Sequence, residues 1–188
     1  DTDTEEPNRT AEPPRARRGM SVRERYADVI ALFREQRWDG ALEAVERHLA
    51  EDGESAALTQ FKAKTLANLG QLKVAAAMAE RSLELDALDK HTYLLLGMIR
   101  QELDQLDAAD AALRRALFLD LRFAEAHFQL GLLRLRRGEH AGGLKSLHSA
   151  LELVEQAPPD QAVHNSEGMT CGRLADILRT EISIYSRD

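Results

Sequence analysis

The side chains of this chain that could do chemistry are six histidines, one cysteine and thirty-two carboxylates, and their spacing decides what that chemistry would be. His48, His91, His127, His140, His148 and His164 are scattered, with no two of them four residues apart and no cysteine beside them. A helix offers a metal ion facing ligands only at such close spacings, so no metal site is expected. Cys171 falls near an expected helix start, where a thiolate is favoured, yet no histidine or lysine adjoins it to make a nucleophile. It reads as a small first-turn residue. Asp107 with Asp110, and Glu43 with Glu46, are carboxylate pairs at helical spacing on faces of mixed charge. Such pairs are solvated residues and caps rather than a general acid and base. No strand followed by a Gly-rich turn occurs that could cradle a nucleotide-like cofactor. The chain reads as non-catalytic, with no cofactor.

The elements that would position any site show themselves by their period. Residues 90–123 and 124–157 are two 34-residue blocks in register. Tyr93, Leu96 and Gly97 return as His127, Leu130 and Gly131, and Leu113 and Ala116 return as Leu147 and Ala150. Residues 56–89 keep the small positions, with Ala63 at the offset of Gly97 and Gly131, Ala75 at that of Ala109, and Gly70 at that of Gly138. Residues 22–55 match more loosely, through Ala41, Trp38 and Val45. Small residues at these offsets let two antiparallel helices approach backbone to backbone, and the leftover leucines demand a neighbouring block. This pattern resembles the tetratricopeptide repeat. His127, at the Tyr93 offset, reads as a packing residue with a hydrogen bond.

The expected fold is therefore all-α, a right-handed solenoid of about four helix-turn-helix pairs plus a terminal capping helix. Helices are predicted at roughly 21–36, 39–51, 55–69, 72–85, 89–103, 107–119, 123–137 and 140–154, with Asp89 and Asp107 as N-caps and Gly70 and Gly138 as terminators. The proline that usually closes each repeat is missing, since Gly53, Ala87, Leu121 and Glu155 stand at its offset. Residues 158–169 form a Pro-led polar loop. The last helix, 170–185, puts Leu174, Ile177, Leu178 and Ile182 on one face, suited to covering the apolar end left by Leu144, Leu147, Leu151 and Leu153.

Composition agrees and excludes other classes. With 44% hydrophobic but 5% aromatic residues, the core must be built of Leu and Ala, which favours helices. A net charge of −7 with both signs interspersed argues against nucleic acid. No apolar run reaches spanning length, a lone cysteine suits a reducing compartment, and the expected location is cytoplasmic. Residues 1–20, rich in Pro, acids and Arg, read as a disordered linker; Arg15, Arg17 and Arg18 belong to a solvated tether rather than a docking patch. A start at Asp1 rather than Met points to a fragment with a domain upstream.

Three segments, A-H-F-Q-L-G-L-L-R-L-R-R-G, L-E-L-V-E-Q-A-P-P-D and S-E-G-M-T-C-G-R-L-A-D-I-L, resemble the C-terminal repeat region of chemoreceptor methyltransferases of the CheR type. In that family a methyltransferase domain precedes a linker, tetratricopeptide repeats, a Pro-Pro loop and a helix with a T-x-G-R-L start, matched here by Thr170, Gly172, Arg173 and Leu174. The resemblance implies a non-catalytic regulatory domain. Its partner would be the chemoreceptor cytoplasmic region or the upstream methyltransferase domain, and it would control which receptor or which glutamate is modified. The alternative is a free-standing scaffold unrelated to methylation, and the sequence before Asp1 separates the two.

In tetratricopeptide folds the first helix of each pair lines a concave groove. The corresponding offsets here are Arg23, Tyr26, Ile30, Phe33, Gln60, Lys64, Asn68, Leu94, Met98, Gln101, Phe128, Leu132, Leu135 and Arg136. A helix of a protein partner laid there would cover Leu94 and Met98; equally, those two could pack within a tightly wound superhelix. Only Lys64 and Asn68 offer the polar groups that clamp a chaperone carboxylate, which disfavours that kind of adaptor.

Overall fold

The computed structural model describes residues 19–163 and 168–186; the predicted linker over 1–20 therefore lies almost wholly outside the described residues, as does His164. Ten helices follow in chain order among the described residues: α1 (Val22–Arg25), α2 (Ala27–Arg34), α3 (Trp38–Asp52), α4 (Ala56–Asn68), α5 (Leu72–Leu85), α6 (Lys90–Glu102), α7 (Leu106–Leu119), α8 (Ala124–Arg136), α9 (His140–Glu155) and α10 (Cys171–Tyr185). Among the described residues no helix is long and apolar enough to cross a membrane. The fold is a tetratricopeptide-like solenoid. Its helices pack in antiparallel pairs, α2 with α3, α4 with α5, α6 with α7 and α8 with α9, and α10 packs on α9.

Small residues set the spacing of each pair. A Cβ on Gly97 would fall 2.8 Å from Leu113 Cγ and 3.5 Å from the Ala109 carbonyl, so α6 and α7 meet where the repeat placed its small residues. The fourth pair is tighter still: a Cβ on Gly131 would lie 2.6 Å from Leu147 Cδ2 and 3.2 Å from the Gly143 carbonyl.

The turn inside each pair repeats with the same period. Gln36, Gly70, Asp104 and Gly138 all take positive φ, at 55°, 76°, 59° and 77°. The next N–H in each case reaches back five residues: Arg37 to the Leu32 carbonyl, Gln71 to Leu66, Gln105 to Arg100 and Glu139 to Arg134, at 2.8 to 2.9 Å. This closes the helix and satisfies carbonyls that would otherwise lack donors. Between the second and third pairs, and between the third and fourth, an aspartate one residue before the offset of the absent proline shapes the turn. Asp86 Oδ1 accepts the Leu88 N–H at 3.0 Å and Asp120 Oδ1 accepts the Arg122 N–H at 2.9 Å, an Asx turn at the same offset twice.

Two local expectations need correcting. The segment predicted as one helix from Ser21 breaks at Tyr26 (φ −117°, ψ 37°), separating a single capped turn, α1, from α2. The break turns the Tyr26 ring inward, edge-on to His48 at 5.0 Å and to Phe61 at 5.9 Å between centroids. Asp107 is not a cap: α7 begins at Leu106 behind Gln105, which supplies no side-chain bond, so Asp107 sits within the first turn. Asp89 does cap α6, its carboxylate accepting the His91 N–H at 2.9 Å.

The core divides into four clusters strung along the stack, each drawing on neighbouring pairs. The last joins Leu135, Leu147, Ala150 and Val154 to Val163, Cys171, Leu174, Ala175 and Leu178, so α10 buries the terminal apolar face. The T-x-G-R-L start has a packing role there. Thr170 Oγ1 accepts the Arg173 N–H at 3.3 Å as N-cap. A Cβ on Gly172 would meet the Pro159 carbonyl at 3.0 Å, and Leu174 is buried.

Candidate functional site

The first helices of successive pairs touch one another along the stack, α4 with α6 and α6 with α8, which places them on the inner side. The fourteen residues expected to line that side separate into three groups. Tyr26, Phe33 and Leu135 are buried. Tyr26 is taken up by His48 and Phe61; Phe33 lies against Trp38 at 5.5 Å and Phe61 at 5.6 Å. Leu135 fills the space above Gly143, where a Cβ would come within 2.7 Å of its Cγ. These three are core, not groove: Tyr26 and Phe33 both pack on the Phe61 ring, and the absent Cβ of Gly143 makes room for Leu135.

A second group is half-buried by neighbours in the stack. Leu94 packs on the cluster formed by α7 and α8, and Phe128 and Leu132 pack on the terminal cluster with α10. Ile30 is also half-buried. Gln60 is held between pairs, its amide donating to Asp89 Oδ2 at 2.6 Å and Thr92 Oγ1 at 2.8 Å.

The third group faces solvent or carries polar groups at the surface. Met98 is 42% exposed, the one large apolar side chain of α6 that stands out from the core to that degree. Toward the N-terminal side, Lys64 Nζ stands 5.0 Å over the Phe33 ring, and Asn68 Nδ2 donates to the Lys64 carbonyl at 2.9 Å. Arg23 is exposed on α1. Toward the C-terminal side, Arg136 donates to the Gln101 carbonyl at 3.0 Å and to Asp104 at 2.8 Å, and the Gln101 amide reaches Gln129 at 3.4 Å. What stays open is a short apolar strip at Met98 with cationic and amide groups on either side.

One polar constellation escaped the sequence reading. His48, 6% exposed, points Nε2 at both carboxylate oxygens of Asp28 at 3.0 Å, and its Nδ1 lies 3.8 Å from Asp52. Burial works to raise the Asp28 carboxyl. The His48 hydrogen bond, the Val29 N–H and the nearby His48 and Arg47 charges outweigh it and hold that carboxyl below its ordinary range. The signal was present: His48 is in phase with Ala41, Ala44 and Val45 on the buried face of α3, with Asp52 four residues on. His127 does donate to the Leu121 carbonyl at 2.9 Å. Burial, and then the Glu125 charge, push the Cys171 thiol up, the opposite of an activated nucleophile. Burial likewise raises the Glu125 carboxyl. Among the described residues no three His, Cys, Asp or Glu side chains converge where a metal ion could sit.

The fold is matched among known proteins. The tetratricopeptide repeat family model matches residues 91–121, within the third helix pair. No curated protein matches the chain significantly. Among solved structures, MamA (residues 41 to end) from Desulfovibrio magneticus RS-1 superposes with a TM-score of 0.63 at 23% identity, over 70% of this chain and 74% of that one. The type III secretion chaperone SycD of Yersinia enterocolitica, solved with a peptide of the translocator YopD, gives 0.60 at 20% identity over 69% and 90%. YrrB, described as a tetratricopeptide-repeat protein with an unusual peptide-binding site, gives 0.60 at 21% over 68% and 66%. At these identities the likeness establishes the fold.

Proposed function

We propose that this chain is a non-catalytic interaction module that takes a segment of a partner protein on its concave side. The observation that carries this reading is the open strip at Met98, bounded by Lys64 and Asn68 on one side and Arg136 on the other. An exposed thioether suits a contact surface, because an unbranched, polarizable side chain repacks against varied partners. Lys64 and Arg136 then favour carboxylates at the edges of the bound segment and set its register. SycD and YrrB, which share the fold, are each described with a bound peptide or a peptide-binding site, and that precedent supports the reading.

A finer version names the partner as the cytoplasmic region of a chemoreceptor, or the methyltransferase domain that modifies it. It rests on the three-segment resemblance alone, and the most specific residues of that resemblance, in the Pro-Pro loop and the T-x-G-R-L start, already have packing roles in seating α10. A general scaffold or adaptor fits the same surface. Calorimetric titration with a cognate receptor's cytoplasmic fragment tests the finer version. The groove control is Met98→Asp with Lys64→Glu rather than a change at Leu94 or Leu132, which are engaged inside the stack. Tight binding that the double variant weakens tenfold or more supports receptor selection in the groove. Unchanged binding by the variant contradicts the groove, and no binding removes the receptor as partner.

A further inference from the structure

The outer side of the solenoid carries a second surface with its own chemistry. α7 and α9 each pack on α8 and leave a trough between them. Its floor includes His127, Leu130 and Arg134, on the opposite side of α8 from Phe128, Leu132 and Arg136. A pocket of about 390 Å³ opens there, within the range of ligand-sized cavities. Two large apolar side chains stand at its lip: Phe118 is 74% exposed and Leu121 75%. Single exposed apolar residues are ordinary, but two beside a cavity with apolar walls mark a contact surface.

The charged side chains that line it are of one sign. Arg114, Arg134 and Lys145 line the trough and no carboxylate among the described residues does, in a chain whose net charge is −7. Arg134 is fixed in place by hydrogen bonds to Ser146 Oγ at 3.0 Å and the Gly142 carbonyl at 3.4 Å. Arg114 is answered by Asp110 at 2.5 Å, whereas Lys145 makes no ion pair among the described residues. The Arg115 guanidinium lies 5.0 Å over the Phe118 ring and adds positive charge to the lip.

We propose that this trough docks an acidic amphipathic segment of a partner protein. One large apolar side chain of that segment enters between Phe118, Leu121 and Leu130, and flanking Asp or Glu carboxylates pair with Lys145 and Arg114. Apolar anchor and complementary charge together fix both position and direction of the segment. The site is independent of the concave strip, and each could be occupied while the other is empty.

The test is fluorescence anisotropy of the full chain with a labelled peptide, Glu-Asp-Glu-Leu-Phe-Asp-Glu-Glu, alongside one analogue with Leu and Phe replaced by Ser and another with every carboxylate converted to its amide. Saturable binding is expected, weakened tenfold or more in either analogue and in Lys145→Glu or Leu121→Ser. Both positions are exposed, so helical circular dichroism should persist. Met98→Asp should bind as the parent chain does. Equal binding of the amide analogue, or of both trough variants, would overturn the proposal. So would absence of peptide binding, whether the trough variants instead abolish co-sedimentation with phosphatidylserine vesicles or abolish self-association in sedimentation velocity, since the trough would then serve a membrane surface or a second copy.

Discussion

Gln36 and Asp104 hold left-handed conformations that an L-residue with a Cβ enters at a cost of about 1 kcal/mol, while Gly70 and Gly138 occupy the same offset without it. Replacing Gln36 by Gly is expected to stabilise the chain by roughly 0.5 to 1 kcal/mol, a rise of about 1–4 °C in Tm for a domain of this size. A thermal melt checks it, and a fall in Tm would show that the Gln36 side chain contributes something its conformation does not reveal. The titrating residues give a signed expectation. Burial raises the Glu125 carboxyl, so the folded state holds that proton more tightly than the unfolded chain. Its contribution is fully present below the unfolded value of about 4.3 and is lost as pH rises through the folded one. Glu125→Gln should therefore raise Tm at neutral pH and leave it unchanged near pH 4. Asp28 runs the other way: its folded value is depressed, so its stabilisation exists above about pH 3.9 and disappears as pH falls through the folded value. His48→Ala should weaken that acid dependence.

Two adjacent glycines of α9 separate packing from helix propensity. A Cβ on Gly143 would lie 2.7 Å from Leu135 Cγ and 3.1 Å from the Gly131 carbonyl, whereas one on Gly142 would meet only the Arg134 side chain, at 3.4 Å. Gly143→Ala is expected to cost about 1–3 kcal/mol by forcing α8 and α9 apart. Gly142→Ala should be neutral or stabilising by up to about 1 kcal/mol through helix propensity. Urea melts of both variants decide the matter; equal losses would mean that the seam is not the constraint. The period made the close approach of α8 and α9 at Gly131 legible beforehand, because the offsets that need a small residue recur in every block. The break at Tyr26 was not legible, since the apolar spacing of 21–36 suits one helix and the inward turn is decided by His48 and Phe61 from other helices. Groove membership was half legible. Offsets located the inner face, but burial of Leu135 depends on a glycine in the facing helix, and burial of Phe128 and Leu132 on how the last helix seats.

The four clusters communicate only with their neighbours, so stability is a sum of local interfaces and the ends are where it fails first. A chain ending at Gln156 would uncover Leu147, Leu151, Leu153 and Val154. Hydrogen exchange on that truncation is expected to show α8 and α9 losing protection while α4 to α7 keep it; even loss along the chain would contradict a nearest-neighbour stack. The same geometry gives the fold two usable sides, an inner strip centred on Met98 and an outer trough between α7 and α9. The most direct measurement of the inner strip's role is photo-cross-linking in the native cell, with benzoyl-phenylalanine placed at Met98 and, as an outer control, at exposed Lys73 of α5. A discrete protein adduct from position 98, absent from position 73 and lost when Lys64→Glu is added, is the expected result. Equal adducts from both positions, or none from position 98, would contradict a concave docking function.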